Sequence, residues 1–360
     1  MTRLSKRPFM SIVVLAYNAA GTVGRALDSL LAQDYPRDRY EIIVVNDGST
    51  DNTAQILAGY GEQIRVITSP HNKGIPYGRN AGLEAARGDV YVGFDGDCEA
   101  DSDWLSELAK GYELPAVAGV GGRIVPRDDI RTKGLATHYI EATGSGTTRG
   151  DDAAAPAFLP PLLRRMVAYM TSGLSWSGNS RKRHGHTEVA ELFGANSSFP
   201  MDVLRAVGGW DPSTAAPAIG GIEDRDVCER IRAAYPKRHF YAMYAARLRH
   251  DPTISLRNYL LRPFRRGPFN YSFYRRNGMT PPLFPFPPFV LLLWLLSAVL
   301  APLALPWMVL LLPQLCYFWW IQRGVVERRA LYLLFPYLQL AEETMVLVGL
   351  LRGFIVHNGK

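Results

Sequence analysis

Cysteine is scarce: Cys98, Cys228 and Cys316 are the only three among 360 residues, and none sits in a Cys-x-x-Cys pair. A disulfide framework and a cysteine-built zinc module are therefore excluded. No Gly-x-Gly-x-x-Gly follows the first apolar segment, which excludes a dinucleotide-dependent dehydrogenase. There is no internal repeat and no low-complexity tract. Acidic residues are missing between Asp251 and Glu327, where every charge belongs to Arg257, Arg262, Arg265, Arg266, Arg275, Arg276 or Arg323. Charge of either sign is missing from Phe284 to Ile321, a run of 38 residues. The overall 48% hydrophobic and 20% charged content is that of a folded protein, so wholesale disorder is excluded too. The mean hydropathy of −0.04 averages a polar body and an apolar tail.

The tail reads as membrane-associated. A spanning helix needs about 20 residues, so residues 284–322 have room for a hairpin of two short spans, bent near Pro302 and Pro306. Arginines flank the run on both sides, which places both ends of the hairpin in the cytoplasm. The basic N-terminal residues lead into an apolar segment too short for a span, and no small-residue cleavage site follows. A signal peptide is not expected, and the body is expected on the cytoplasmic side of a bacterial-type inner or plasma membrane. Residues 251–283 form a basic interfacial segment in which arginines alternate with Tyr and Phe. This pattern suits anionic headgroups or the phosphates of a lipid-linked acceptor, with Arg265 and Arg266 foremost, rather than nucleic acid. Residues 323–360 carry Glu342 and Glu343 in mid-segment, so an interfacial amphipathic helix is expected there rather than a third span.

Residues 9–125 alternate strand and helix patterns. FMSIVVLA (9–16), YEIIVVN (40–46), IRVIT (64–68) and DVYVGF (89–94) read as buried strands, with helices between them. The pattern predicts an α/β fold with a mainly parallel, Rossmann-like sheet flanked by helices. Ligands bind beyond the carboxyl ends of such strands, and the polar residues stand there: Tyr17 and Asn18, Asp47, then Asp95 and Asp97. Residues 127–191 are rich in Gly, Ala, Pro, Thr and Ser, and are expected to form an irregular insertion on the acceptor side with some helix at 162–172.

Two acidic pairs carry chemistry. Asp95-Gly96-Asp97 leaves a strand with two carboxylates one residue apart, able to share a hard divalent cation while phosphate and water fill the remaining coordination. Glu223-Asp224 follows Gly220-Gly221 and opens a helix. The pair is there either as dipole partner and cap or as general base, the glycines letting the loop approach the sheet edge.

Taken together, SIVVLAYNAAGTVGRALDSLLAQDYP, YEIIVVNDGSTDNT, NKGIPYGRNAGLEAARGDVYVGFDGD, FGANSSFPMDVLRAVGGWDP and GGIEDRDVCERIR closely resemble the family 2 inverting glycosyltransferases of GT-A fold. The resemblance covers about residues 9–250. It implies a nucleotide-diphospho-sugar donor, a Mg²⁺ or Mn²⁺ ion, and single displacement at the anomeric carbon. By position it implies that Ala16, Tyr17, Asn18 and Asp47 line the nucleobase pocket, that Arg79 contacts the nucleotide or its phosphates, and that Asp95 lies on the ribose side. It further implies that Asp97 is the main metal ligand, with Asp95 beside it. Asp224 would be the base, with Glu223 orienting it or the sugar, and Asn196, Trp210 and Asp211 would shape the sugar and acceptor pocket. His250 sits where related enzymes sometimes place a residue near the diphosphate or metal; a plain strand-end histidine is the other reading. The residue after the D-x-D is Cys98 where an acid often stands. The Gln-x-x-Arg-Trp motif of processive synthases is absent, so single addition is expected.

The expected whole is a GT-A catalytic domain over residues 1–250 with a C-terminal helical membrane segment. It would move one sugar, most plausibly from a UDP-sugar, to a polyprenyl-diphosphate-linked acceptor for cell-surface glycan. A polyprenyl-monophosphate acceptor and a catalytically silent nucleotide-binding subunit are the alternatives.

Overall fold

The computed structural model describes residues 7–126, 185–189, 191–192, 194–216, 220–250, 256–276 and 335–358. The expected hairpin at 284–322 and the helix at 162–172 lie outside them, as does most of the 127–191 insertion. Among the described residues no helix is long and apolar enough to cross a membrane. The chain divides into two compact units, one carrying the sheet and the other two long helices.

Four strands, β1 (Met10–Ala16), β2 (Tyr40–Asp47), β3 (Arg65–Ser69) and β4 (Val90–Asp95), run parallel in the order β3-β2-β1-β4. The apolar runs of β1, β2 and β4 are continuous because both faces are covered, whereas β3, at the sheet edge, leaves Val66 exposed. In β1, Met10, Ile12, Val14 and Ala16 face one core with Val23, Ala26, Leu27 and Leu30 of α1 (Val23–Leu31). Val13 faces a second core with Leu83 of α3 (Ile75–Ala85). Gly82 makes that crossing possible, since a Cβ there would fall on the Val13 side chain. The short α2 (Thr53–Ala58) follows β2, with Leu57 buried in the first core.

The far half of the sheet departs from the parallel expectation. After β5 (Cys98–Ala100) and α4 (Trp104–Gly111) come β6 (Val117–Pro126), β7 (His186–Val189) and β8 (Ser197–Pro200). The sheet is completed by β11 (His239–His250), in the order β4-β8-β6-β11-β5, with β7 also on β11. Only β6 and β11 pair parallel; β8 lies antiparallel between β4 and β6, and β5 and β7 lie antiparallel on β11. The sheet is thus mixed rather than mainly parallel. The antiparallel strands have three or four residues each, too few to show a periodicity. One of them, β7, lies inside the segment expected to be irregular.

The remaining elements are α5 (Met201–Ala206), a ribbon of β9 (Ala215–Ala216) and β10 (Gly220–Gly221), and α6 (Glu223–Ala234). Val203, Leu204, Val227 and Ile231 seat the two helices on the second core.

In the second unit α7 (Leu256–Arg276) packs along α8 (Phe335–Asn358). The helices cross at glycine: a Cβ on Gly267 would strike the backbone of Gly349, and one on Gly353 would meet Tyr271 Cβ at 2.6 Å. Tyr271 rests edge-on against Phe354 at 5.8 Å, and Arg352 lies 4.8 Å over the Phe264 ring. Leu350 is buried while Val348, Leu351, Phe354, Ile355 and Val356 are exposed.

Asn196 ties the far half of the sheet together. It is buried, accepts a hydrogen bond from Trp104 Nε1 at 2.9 Å, and donates to the carbonyls of Arg123 (3.3 Å) and Ala246 (3.4 Å). These partners belong to α4, β6 and β11. Asn196→Ala would leave a buried indole N–H unpaired, and we expect a loss of about 2 kcal/mol in unfolding free energy. Urea denaturation measures it, and an unmoved midpoint would refute the cross-tie.

Candidate active site

The loops after β1 and β2 are stitched to each other. Asn18 adopts a left-handed φ of 49°, which its short polar side chain tolerates. Its N–H donates to Ser49 Oγ (2.9 Å), and its Oδ1 accepts from the Thr50 N–H (2.8 Å). The Ala19 N–H donates to Thr53 Oγ1 (2.8 Å) and the Ala20 N–H to Asp51 Oδ2 (3.1 Å). The Thr53 hydroxyl first, then the Ala20 and Thr53 amides, hold the Asp51 carboxyl below its ordinary range. Ala16 is buried at the end of β1 and Tyr17 stands exposed after it. Asp47 is buried and accepts from the N–H groups of Lys73 (3.0 Å) and Gly74 (2.8 Å), so its carboxylate fixes the entry into α3. Ala16, Tyr17, Asn18 and Asp47 thus share the adjoining carboxyl ends of β1 and β2.

The D-x-D follows β4. Gly96 donates its N–H to the Leu15 carbonyl at 2.8 Å, and a Cβ there would lie 2.9 Å from that oxygen, so only glycine fits between the two aspartates. Antiparallel pairing of β5 with β11 sets His250 opposite Cys98. His250 Nε2 lies 3.2 Å from Asp97 Oδ2, and donor atoms of Asp97, Cys98 and His250 fall within 4.8 Å of one another. Burial pushes the Cys98 thiol well above its usual range, so it packs as a small apolar group. Burial works most strongly against the Asp97 charge, but the His250 hydrogen bond and charge, with a backbone N–H and the Cys98 thiol, together hold the carboxyl low. Burial, reinforced by neighbouring Asp97 and opposed by Arg79, raises the Asp95 carboxyl to about 6. A carboxylate and an imidazole that both reach solvent, with a second carboxylate beside them, fit Mn²⁺ or Mg²⁺.

Asp224 stands in the first turn of α6. One oxygen accepts from the Arg79 guanidinium and the other from the Gly194 N–H at 2.9 Å. Arg79, on α3, is buried, stands 3.9 Å from Asp95 and lies 5.5 Å over the Trp210 ring. Burial disfavours its charge, but Asp224, Asp95 and Glu223 outweigh burial and keep the guanidinium ionised. Tyr91 of β4 packs 4.9 Å from Trp210, and burial pushes its hydroxyl up.

Asp95, Asp97, Arg79, Asp224 and His250 therefore share one end of the sheet, with Glu223 buried beside Asp224. Asn196 and Trp210 are core residues. Asn80 clamps the Trp210 backbone, donating to its carbonyl (2.7 Å) and accepting from its N–H (2.9 Å). Asp211 accepts from the Ser213 N–H at 2.8 Å and opens the turn at 212–214. Arg265 and Arg266 stand on α7, in the other unit. Residue types alone did not reveal Gly194, which acts through its backbone N–H; its only mark is its place in Gly-Ala-Asn-Ser-Ser.

The sequence profile of glycosyl transferase family 2 matches residues 11–158. The glucosyl-dolichyl phosphate glucuronosyltransferase of Haloferax volcanii is 27% identical over 239 residues, covering 64% of this chain and 66% of that one. Glycosyltransferase AglE of the same organism is 29% identical over 123 residues, 33% of this chain and 40% of that one. The chain thus spans 40% and 66% of the lengths of these two relatives. Among solved structures, a mannosyltransferase from Pyrobaculum calidifontis, in complex with GDP-Man and Mn²⁺, superposes with a TM-score of 0.58 at 19% identity. That match covers 95% of this chain and 87% of the other, and shows a shared GT-A fold. Residues 11–158 thus carry a family 2 glycosyltransferase domain, and with the named relatives this domain supports a transferase enzyme.

The Asp95 carboxyl holds its proton up to about pH 6, and a cation beside it favours the ionised form. Protons therefore compete with the metal on the acid side. Mn²⁺ affinity should fall about fourfold between pH 7.5 and 5.5, with proton release on binding at the lower pH. Calorimetry in buffers of different ionisation enthalpy reads both quantities; an affinity independent of pH would contradict the coupling.

Proposed function

We propose that the chain is a metal-dependent inverting glycosyltransferase that moves one sugar from a nucleotide-diphospho-sugar, foremost a UDP-sugar, to a membrane-held polyprenyl-phosphate or -diphosphate acceptor. The observation that carries the reading is the Asp224 carboxylate. Its oxygens offer about four lone-pair directions, of which Arg79 and the Gly194 N–H take two, and its side chain is 26% exposed. An oriented and accessible carboxylate is what a general base requires.

In the proposed reaction the acceptor hydroxyl attacks the anomeric carbon from the Asp224 side and gives its proton to that carboxylate. The new carbon–oxygen bond forms as the bond to the diphosphate breaks, and the bonding electron pair leaves with the nucleotide. Attack and departure occur on opposite faces, so the configuration inverts. Asp97 and His250, with Asp95 beside them, would hold a divalent cation, whose chemistry is to offset charge on the departing diphosphate. Glu223, buried next to the base, orients it. Ala16, Tyr17, Asn18 and Asp47 form the nucleobase end.

The lipid acceptor is supported by the arginine-rich α7, by the uncharged run that follows it in sequence, and by a relative whose name specifies a dolichyl phosphate. On this reading the hairpin lies in the plasma membrane and the catalytic unit faces the cytoplasm.

Titration of detergent-purified protein with UDP, GDP and dTDP, each with Mn²⁺ and with EDTA, should show one nucleotide binding only with metal. Binding of none would favour a silent subunit. Asp224→Asn should lower transfer by about 10³-fold and leave nucleotide affinity unchanged. Labelled product should extract into organic solvent; a wholly aqueous product would overturn the lipid acceptor.

A further inference from the structure

We propose that Arg79 is the positioning residue of the Asp224 base, acting with the Gly194 N–H, and not a cation that binds donor phosphate. The proposal rests on the reading of Asp224 as base and refines how that base is held. An arginine that grips phosphate presents its N–H fork to the ligand, whereas this fork is enclosed. Arg79 is 3% exposed, and its guanidinium lies over the Trp210 ring and donates to Asp224. On another side a Cβ added to Gly194 would fall on the guanidinium itself, so the backbone there is already in contact. Asp95, at 3.9 Å, takes what remains of the charge.

The next residue completes the device. Asn80 holds the backbone of Trp210 by both its N–H and its carbonyl, so consecutive residues of α3 secure the base and the ring that covers its partner. Asp224 is then fixed from two directions, one oxygen by α3 and the other by the turn before β8. Rotation of the carboxylate out of line would break one of these bonds. Gly194 is glycine because the same short stretch must both donate its N–H and clear the guanidinium.

Arg79→Lys keeps the charge but not the fork, and Gly194→Ala keeps the arginine but displaces it. Both variants should bind the nucleotide and Mn²⁺ within about twofold of wild type, while kcat falls about 10²-fold. The rate is that of nucleoside diphosphate release from UDP-glucose, UDP-N-acetylglucosamine or GDP-mannose, with phytanyl phosphate or water as acceptor, and donor KM should hold. Guanidinium ion added to Arg79→Ala should restore part of kcat, which a merely structural role would not predict. Arg79→Lys in an Asp224→Asn background should cost nothing further. A tenfold loss of nucleotide affinity with kcat unchanged would make Arg79 a donor ligand and overturn the proposal. If Asp224→Asn is inactive while Arg79→Lys and Gly194→Ala keep wild-type kcat, the positioning role falls alone. If Asp224→Asn is fully active, the base assignment falls first.

Discussion

A guanidinium buried among carboxylates is the interaction on which the rest of this site depends. Asp95, Asp97, Glu223 and Asp224 converge on the end of one sheet, and Arg79 is the buried cation that faces three of them. Removing one partner of a buried pair typically costs about 3–5 kcal/mol, because the other charge is left without water or counter-ion. Arg79 thus holds Asp224, while Asp95 is left under-compensated and carries a raised pKa. The unequal division gives the two ends of the site different chemistry. The Asp224 end has its cation in direct contact; the Asp95–Asp97 end has Arg79 only at 3.9 Å and His250 beside Asp97.

Both halves of the sheet are needed for this arrangement. The parallel half supplies the carboxyl ends of β1, β2 and β4, hence the stitched loops at Asn18 and Asp47 and the acidic pair after β4. The antiparallel half supplies what the parallel half lacks. The turn before β8 brings the Gly194 N–H to Asp224, and β11 delivers His250 to Asp97 through its pairing with β5. Asn196, two residues beyond Gly194, bonds to α4, β6 and β11, so the amide that faces Asp224 sits on a turn tied to three elements of that half.

The parallel strands were legible to within a residue or two because four buried apolar runs separated by helical periodicities admit one architecture. The antiparallel strands were not, since three or four residues paired to distant partners leave no local signal. The same contrast governs the site. Carboxylates at strand ends could be read as a site because their position is set by neighbouring residues in sequence. Arg79 could be read as important from its motif, but its contact with Asp224, 145 positions away in sequence, is visible only in the fold. Asn196 and Trp210 were legible only as residues near the site; the fold adds that they are buried and that Asp211 accepts from the Ser213 N–H.

Glycine explains why the charges stay so close without merging. β4 is pressed on one side by β1, where Gly96 touches the Leu15 carbonyl, and on the other by the turn before β8, where a Cβ on Gly93 would strike the Gly194 carbonyl. Gly194 in turn leaves room for the guanidinium. These contacts bring backbone into the space where side chains or water would otherwise lie, and low-dielectric surroundings strengthen every charge interaction that remains. The proton affinity of Asp95 and the fixed orientation of Asp224 are thus two results of one packing constraint. A larger residue at Gly93, Gly96 or Gly194 would act on the electrostatics of the site before it touched any ligand.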